Sequence, residues 1–84
     1  MKHAGPTALD ALEPLLTDLR TLGLQERARG VFYRKSRAFL HFHEDPTGLF
    51  ADIRNEDGGD FDRLEVTAAD SWPGLVALAK TRAA

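Results

Sequence analysis

The chain has 84 residues, 43% of them apolar, with no cysteine and 11 basic against 13 acidic side chains, a formal net charge of -2. That length allows one domain with one core layer, so residues 1–84 are expected to form a single small domain of marginal stability, for which dimerisation is a cheap way to bury more surface. The absence of cysteine excludes a disulfide framework and a thiolate metal site, and the slight acidity argues against general attraction to nucleic acid.

No apolar run approaches the roughly 20 residues that span a bilayer. Asp10 and Glu13 break the stretch behind Met1–Pro6, which therefore does not read as a secretion signal. A cytoplasmic protein without membrane attachment is the expectation.

Residues 1–6 read as a flexible lead. Thr7 can cap a helix, with Asp10 closing a capping box. Leu9, Leu12, Leu15 or Leu16, Leu19 and Leu22 recur every three to four residues, which is the period of a helix with one apolar face, and Gly23 is a natural stop. Pro14 conflicts with a continuous helix, because inside one it removes a hydrogen bond and costs about 3 kcal/mol. The helix should kink or split there. Gln25–Arg29 fits either a helical turn or an ordered loop.

From Val31 the period changes to that of strands. Val31–Arg34 favours β structure, Lys35–Ser36 can serve as a tight connection, and Ala38, Leu40 and Phe42 alternate with Phe39, His41 and His43. Glu44–Thr47 should turn the chain, Pro46 being suited to a turn. Placing His43 across from Gly48 pairs Phe42 with Leu49, Leu40 with Ala51 and Ala38 with Ile53, all on one face. Asn55–Asp60 is a strong turn signal; its Asp57-Gly58-Gly59-Asp60 core lacks the alternating ligands and terminal glutamate of a calcium loop. Residues 61–67 give a fourth strand, with Leu64 and Val66 inward. Asp70 or Ser71 can then cap a helix that tolerates Pro73 in its first turn and lays Trp72, Leu75, Val76 and Ala79 against the sheet. The predicted architecture is α+β: a four-stranded antiparallel meander with an N-terminal and a C-terminal helix packed on one face.

Alternation leaves Phe39, His41, His43, Phe50, Asp52 and Arg54 on the opposite face, and these six form the candidate binding surface. His41 and His43 leave one face of a strand about 7 Å apart. With Asp52 on the diagonal and Glu44 or Asp45 at the turn, they are candidates for a two-histidine, one-carboxylate metal site, but the face reads first as a polar, partly aromatic sheet surface that needs no metal. Arg54 competes for that carboxylate as an ordinary ion pair. His41 as base with Asp52 orienting it is the corresponding acid–base pair for a hydrolase, though no activated nucleophile accompanies it. Phe39 and Phe50, exposed on a second sheet face, fit a surface for self-association or for another protein. Stacking on nucleic-acid bases is a further use of such aromatics, with Arg34 and Arg37 meeting phosphate, but Glu44, Asp45, Asp52 and Glu56 oppose it. Arg27, Arg29, Arg34, Lys35 and Arg37 place five positive charges in eleven positions. They read first as a solvated basic edge that discourages edge-to-edge pairing. No cofactor motif is present.

The segment Gly30-Val31-Phe32-Tyr33-Arg34-Lys35-Ser36-Arg37-Ala38-Phe39-Leu40-His41-Phe42 resembles the central hairpin of the small bacterial MmcQ/YjbR and TfoX N-terminal-type domains, in which a strand and a basic turn lead to a strand of the form lysine-x-phenylalanine-x-apolar. Lys35 or Arg37, Phe39 and Leu40 hold similar places here. The resemblance covers about a quarter of the chain, which is shorter than those domains and lacks the helical region that commonly follows their sheet. It implies a compact α+β domain with DNA-related or partner-binding roles, and it transfers no catalytic residue. A protein-binding or self-associating module is the expected function, with a histidine- or metal-based hydrolase and a nucleic-acid-binding module as alternatives.

Overall fold

A computed structural model describes residues 1–84 and shows an α+β domain built on a six-stranded antiparallel sheet. In chain order the elements are β1 (Lys2–His3), α1 (Pro6–Ala11), α2 (Glu13–Leu19), β2 (Gln25–Ala28), β3 (Val31–Arg34), β4 (Arg37–Asp45), β5 (Gly48–Arg54), β6 (Phe61–Glu65) and α3 (Trp72–Ala83). Strands β2 to β6 form a meander in sequence order. β3 is short and pairs only with the first part of β4, so the far end of the same edge is free to take β1, through Lys2↔Glu44 and His3↔His43. No helix is long and apolar enough to cross a membrane.

The leucine period of the N-terminal region is realised as a split helix. α1 ends at Ala11, Leu12 stands between, and Pro14 falls in the first turn of α2, where its missing N–H has no intrahelical partner to lose. The start differs from expectation. Gly5 is the N-cap, Pro6 is the first helical residue, and no side chain caps α1, so Thr7 lies inside the helix. Leu12, Leu15, Leu16 and Leu19 are fully buried and meet Leu75 and Ala79 of α3 in one core with Phe32, Leu40, Phe42, Ala51 and Ile53 of the sheet. Trp72 anchors the start of α3, its indole N–H donating to the Val66 carbonyl at 2.9 Å.

Two segments read as irregular are strands. The lead pairs with β4 as β1, reinforced by Ala4 N–H donating to the Phe42 carbonyl at 3.0 Å and Gly5 N–H to Glu44 Oε2 at 2.6 Å. Gln25–Ala28 is edge strand β2. Its polar composition hides it, because an exposed edge needs no apolar alternation. The sheet therefore has two strands more than the predicted four.

The β4–β5 hairpin is shifted by two residues from the predicted register. Only Pro46 and Thr47 form the loop, so Asp45 faces Gly48, His43 faces Phe50, His41 faces Asp52 and Leu40 faces Ile53. Asp45 Oδ1 accepts the Thr47 N–H at 2.8 Å, an Asx turn with proline in its second position that closes the chain sooner than a four-residue loop. A shift of two preserves every side chain's face. Gly48 sits at φ +151, and a Cβ there would lie 2.3 Å from Thr67 Oγ1, a hydroxyl that accepts the Leu49 N–H and donates to Glu65. Gly48→Ala is expected to cost roughly 1–3 kcal/mol, read as a lower urea midpoint at unchanged m-value.

The β3–β4 turn has both central residues at positive φ, Lys35 at 52° and Ser36 at 68°. This is the backbone of a two-residue primed turn, normally served by Asn-Gly. In lysine and serine it costs about 1–2 kcal/mol per residue.

Candidate functional site

Strand β4 delivers the chemistry of the sheet face that points away from the helices. His41 and His43 lie two apart on it, and β1 sets His3 directly opposite His43. The ring centroids of His3 and His43 are 4.7 Å apart and nearly stacked, and those of His41 and His43 are 5.1 Å apart edge to face. One potential ligand atom from each of the three lies within 4.8 Å of the others. All the histidines of the chain are in this cluster. Phe61 of β6 packs against His41 with centroids 4.9 Å apart and closes one flank.

Asp52, opposite His41, is the one buried charged residue of the protein. It is gripped bidentately by Arg63, its cross-strand neighbour on β6, with Nε to Oδ1 at 2.7 Å and Nη2 to Oδ2 at 2.8 Å. Those hydrogen bonds hold the Asp52 carboxyl below its ordinary 3.8. Its Oδ2 also stands 3.1 Å from His43 Nδ1, without the alignment of a hydrogen bond. Burial pushes His41 and His43 below the ordinary histidine value of 6.5, Asp52 opposing this in part, which favours the neutral form of both rings. The Nδ1 atoms of His41 and His43 are buried with no hydrogen-bond partner. A buried polar atom left in that state costs about 1–3 kcal/mol unless a water, an ion or a partner satisfies it.

The other predicted site residues go elsewhere. Phe39 is not on this face. A bulge in the β3–β4 pairing, where Phe32 faces Leu40 but Tyr33 faces Ala38, makes Phe39 the extra residue of β4; it is 4% exposed and part of the core cluster. Two consecutive residues of a strand both turn inward only where such an insertion breaks the alternation. Phe50 is half-buried opposite His43, and Met1 is the only large apolar side chain that is exposed. Arg54 leaves Asp52 to Arg63; it donates to the carbonyls of Ala38 and Gly58 and lies over the Phe61 ring at 4.5 Å. Glu44 holds the Gly5 N–H and Asp45 holds the turn, so neither joins the histidines.

The basic run 27–37 is divided by the fold. Arg29 pairs with Asp10 and Glu13, and Arg27 lies over the Tyr33 ring, while Arg34, Lys35 and Arg37 line a cavity at the end of the sheet. His3 is the residue that sequence reasoning missed. The number of histidines was the available signal: with only three in the chain and two of them paired on a strand, the third was a candidate wherever the lead came to rest.

Comparison of the chain with models of protein families, with curated proteins and with solved structures gave no match in any of the three.

Proposed function

We propose that the protein binds a divalent transition metal ion, with zinc the best fit, through His3, His41 and His43 on the open face of the sheet. The observation that carries this is the convergence of three imidazoles, with burial favouring the neutral form of His41 and His43 and with a buried Nδ1 of His41 that no protein group satisfies. Neutral imidazole is the form that ligates, and a three-nitrogen set with a free fourth position is an established zinc environment. With Nδ1 of His43 turned toward Asp52, Nε2 is the nitrogen available to an ion. Asp52 Oδ2, 3.1 Å from that Nδ1 but not aligned for a hydrogen bond, is placed to act as an outer-shell carboxylate once the ring turns toward it.

Tetrahedral coordination at about 2.0–2.1 Å brings ligand nitrogens to about 3.3 Å from one another, so the cluster has to tighten. His3, exposed and on a two-residue strand, is the side chain free to supply that movement. Ion binding would thereby clamp β1 to β4. Asp52, committed to Arg63, supports a positioning role more than that of a ligand or of an orienting acid in hydrolysis. Docking of a partner or of a second copy on this face has weaker support, since Phe39 is withdrawn into the core and Phe50 is half-covered.

Titration of the metal-stripped chain with zinc by calorimetry is the test. A one-to-one isotherm is expected, with affinity reduced at least about 10–100-fold in His41→Ala and in His3→Ala. The latter variant lies in an exposed segment and should fold like the parent. Undiminished affinity in both variants sinks the assignment.

A further inference from the structure

At the end of the sheet that carries the β3–β4 turn, a cavity of about 180 Å³ opens between that turn, the β5–β6 loop and the last turn of α3. Five cationic side chains line it, Arg34, Lys35, Arg37, Arg54 and Arg82, against one acid, Glu56. This concentration occurs in a chain whose net charge is -2. We propose that the cavity binds a terminal phosphoryl group, either inorganic phosphate or the end of a small phosphate monoester.

Arg37 and Arg54 of the cavity are partnered differently from Arg20, Arg29 and Arg63. Those three are each neutralised by carboxylates. In the cavity, Arg37 donates only to the carbonyl of Gly58 and Arg54 only to those of Ala38 and Gly58, while Arg34 donates to the Ala83 carbonyl and to an oxygen of Ala84, the last residue of the sequence. Arg82 alone has an acidic side chain, Asp62, at 2.9 Å. One neutral oxygen, that of Gly58, thus holds two guanidinium groups, at 2.8 Å from Arg37 and 3.0 Å from Arg54. Carbonyl acceptors orient these cations without cancelling their charge, and like charges so gathered repel until an anion joins them.

Donors remain for such an anion. Nη1 of Arg34 and Nη2 of both Arg54 and Arg82 have no protein acceptor. Planar guanidinium forks match phosphate oxygens in pairs. Lys35, in the first position of the strained turn, also lines the cavity. Strain maintained at a ligand-sized opening is a common mark of a binding site.

Size and surroundings select the ligand. A cavity of about 150 Å³ accommodates a benzene-sized molecule, and whole cofactors need roughly 300 Å³ or more, so the space suits a phosphoryl head with a few further atoms. Glu56, Asp57 and Asp62 line the adjoining surface groove. They would repel a long polyanion lying across the opening, whereas a single phosphoryl group inside meets only Glu56. The two sites are neighbours: Phe39 of the cavity and His41 are two residues, about 7 Å, apart on β4, and Phe61 lies between Arg54 and His41; their ligand groups differ, so anion binding without metal tests the cavity by itself.

The test is NMR titration of the full chain, with EDTA present to keep metal out, following backbone amides and arginine Nε–H signals. The probes are inorganic phosphate and phenyl phosphate, with sodium chloride at matched ionic strength as the control. Saturable shifts at Lys35, Ser36, Gly58 and the cavity arginines are expected. Affinity should fall about 10–100-fold in Arg37→Ala, as for loss of a charge-assisted contact. It should fall about tenfold in Lys35→Asn/Ser36→Gly, which installs the preferred primed-turn pair and stays folded. Equal affinity for the two probes means that the head alone is read, and tighter binding of phenyl phosphate means that the cavity also contacts the attached group; either supports the site. Shifts matched by sodium chloride, affinities unchanged in both variants, or an oligonucleotide that binds more tightly than either probe at the same salt would overturn it.

Discussion

Replacing Phe39 by serine is expected to unfold the domain, not to release one copy from another. Phe39 is 4% exposed and belongs to the single core cluster. Truncating a buried phenylalanine to alanine costs about 3–5 kcal/mol, and serine adds a hydroxyl that needs a partner. The whole stability of a small domain is about 5–15 kcal/mol, and an 84-residue chain belongs near the lower end of that range. Far-ultraviolet dichroism during thermal melting should show a transition lowered by tens of degrees, or none at all. Phe50→Ser, at a half-buried position, should retain a cooperative melt with a much smaller loss. A well-folded Phe39→Ser protein that differs from the parent only in its sedimentation would return Phe39 to the surface and to a role in association.

That contrast marks where the sequence is informative about this fold and where it is not. Strand alternation put Leu40, Phe42, Ala51 and Ile53 inward and His41, His43, Phe50 and Asp52 outward. All of this survives a hairpin register wrong by two, because the side-chain period is also two. Phe39 fails because its placement depends on a bulge, a mismatch between two strands that neither strand's own pattern displays. Leucine spacing and Pro14 were enough to predict a helix that kinks or splits, and the structure splits it at Leu12. Lys2–His3 carries no strand signal, since β1 exists only because β3 is short and leaves part of β4 unpaired. His3 therefore reaches the histidine pair through tertiary topology.

The basic cavity has the same origin. Arg34, Lys35 and Arg37 are neighbours in sequence, but Arg54 and Arg82 arrive from β5 and α3. A run that reads as a solvated edge becomes one wall of a cavity only when distant arginines face it. The sequence did supply the negative half of the picture: the acids after residue 43 were expected to oppose a nucleic-acid backbone, and those in the β5–β6 loop now flank the cavity.

Substituting Asp52 by asparagine is expected to affect stability and zinc affinity together. Asparagine keeps the shape and one acceptor but loses the charge that accepts both Arg63 hydrogen bonds and faces His43. Hydrogen bonds to a charged group contribute about 1.5–3 kcal/mol each, less where the partner is exposed, as Arg63 is. A net loss of about 1–2 kcal/mol is therefore the expected size. The parent should also lose stability in acid in two stages. His41 and His43 have folded-state values below 6.5, so as the pH falls through 6.5 the unfolded chain takes up protons first and stability declines. Asp52 has a folded-state value below 3.8; its contribution is complete above the unfolded value and is lost as the pH falls through that value toward the folded one. In Asp52→Asn the second stage should shrink while the first remains. Zinc affinity at pH 7 should fall by about 10–100-fold, the usual effect of removing an outer-shell carboxylate. Urea midpoints between pH 3 and 7, with calorimetry at pH 7, separate the two effects. A variant that loses stability but binds zinc as the parent does would confine Asp52 to holding β5 and β6 together through Arg63.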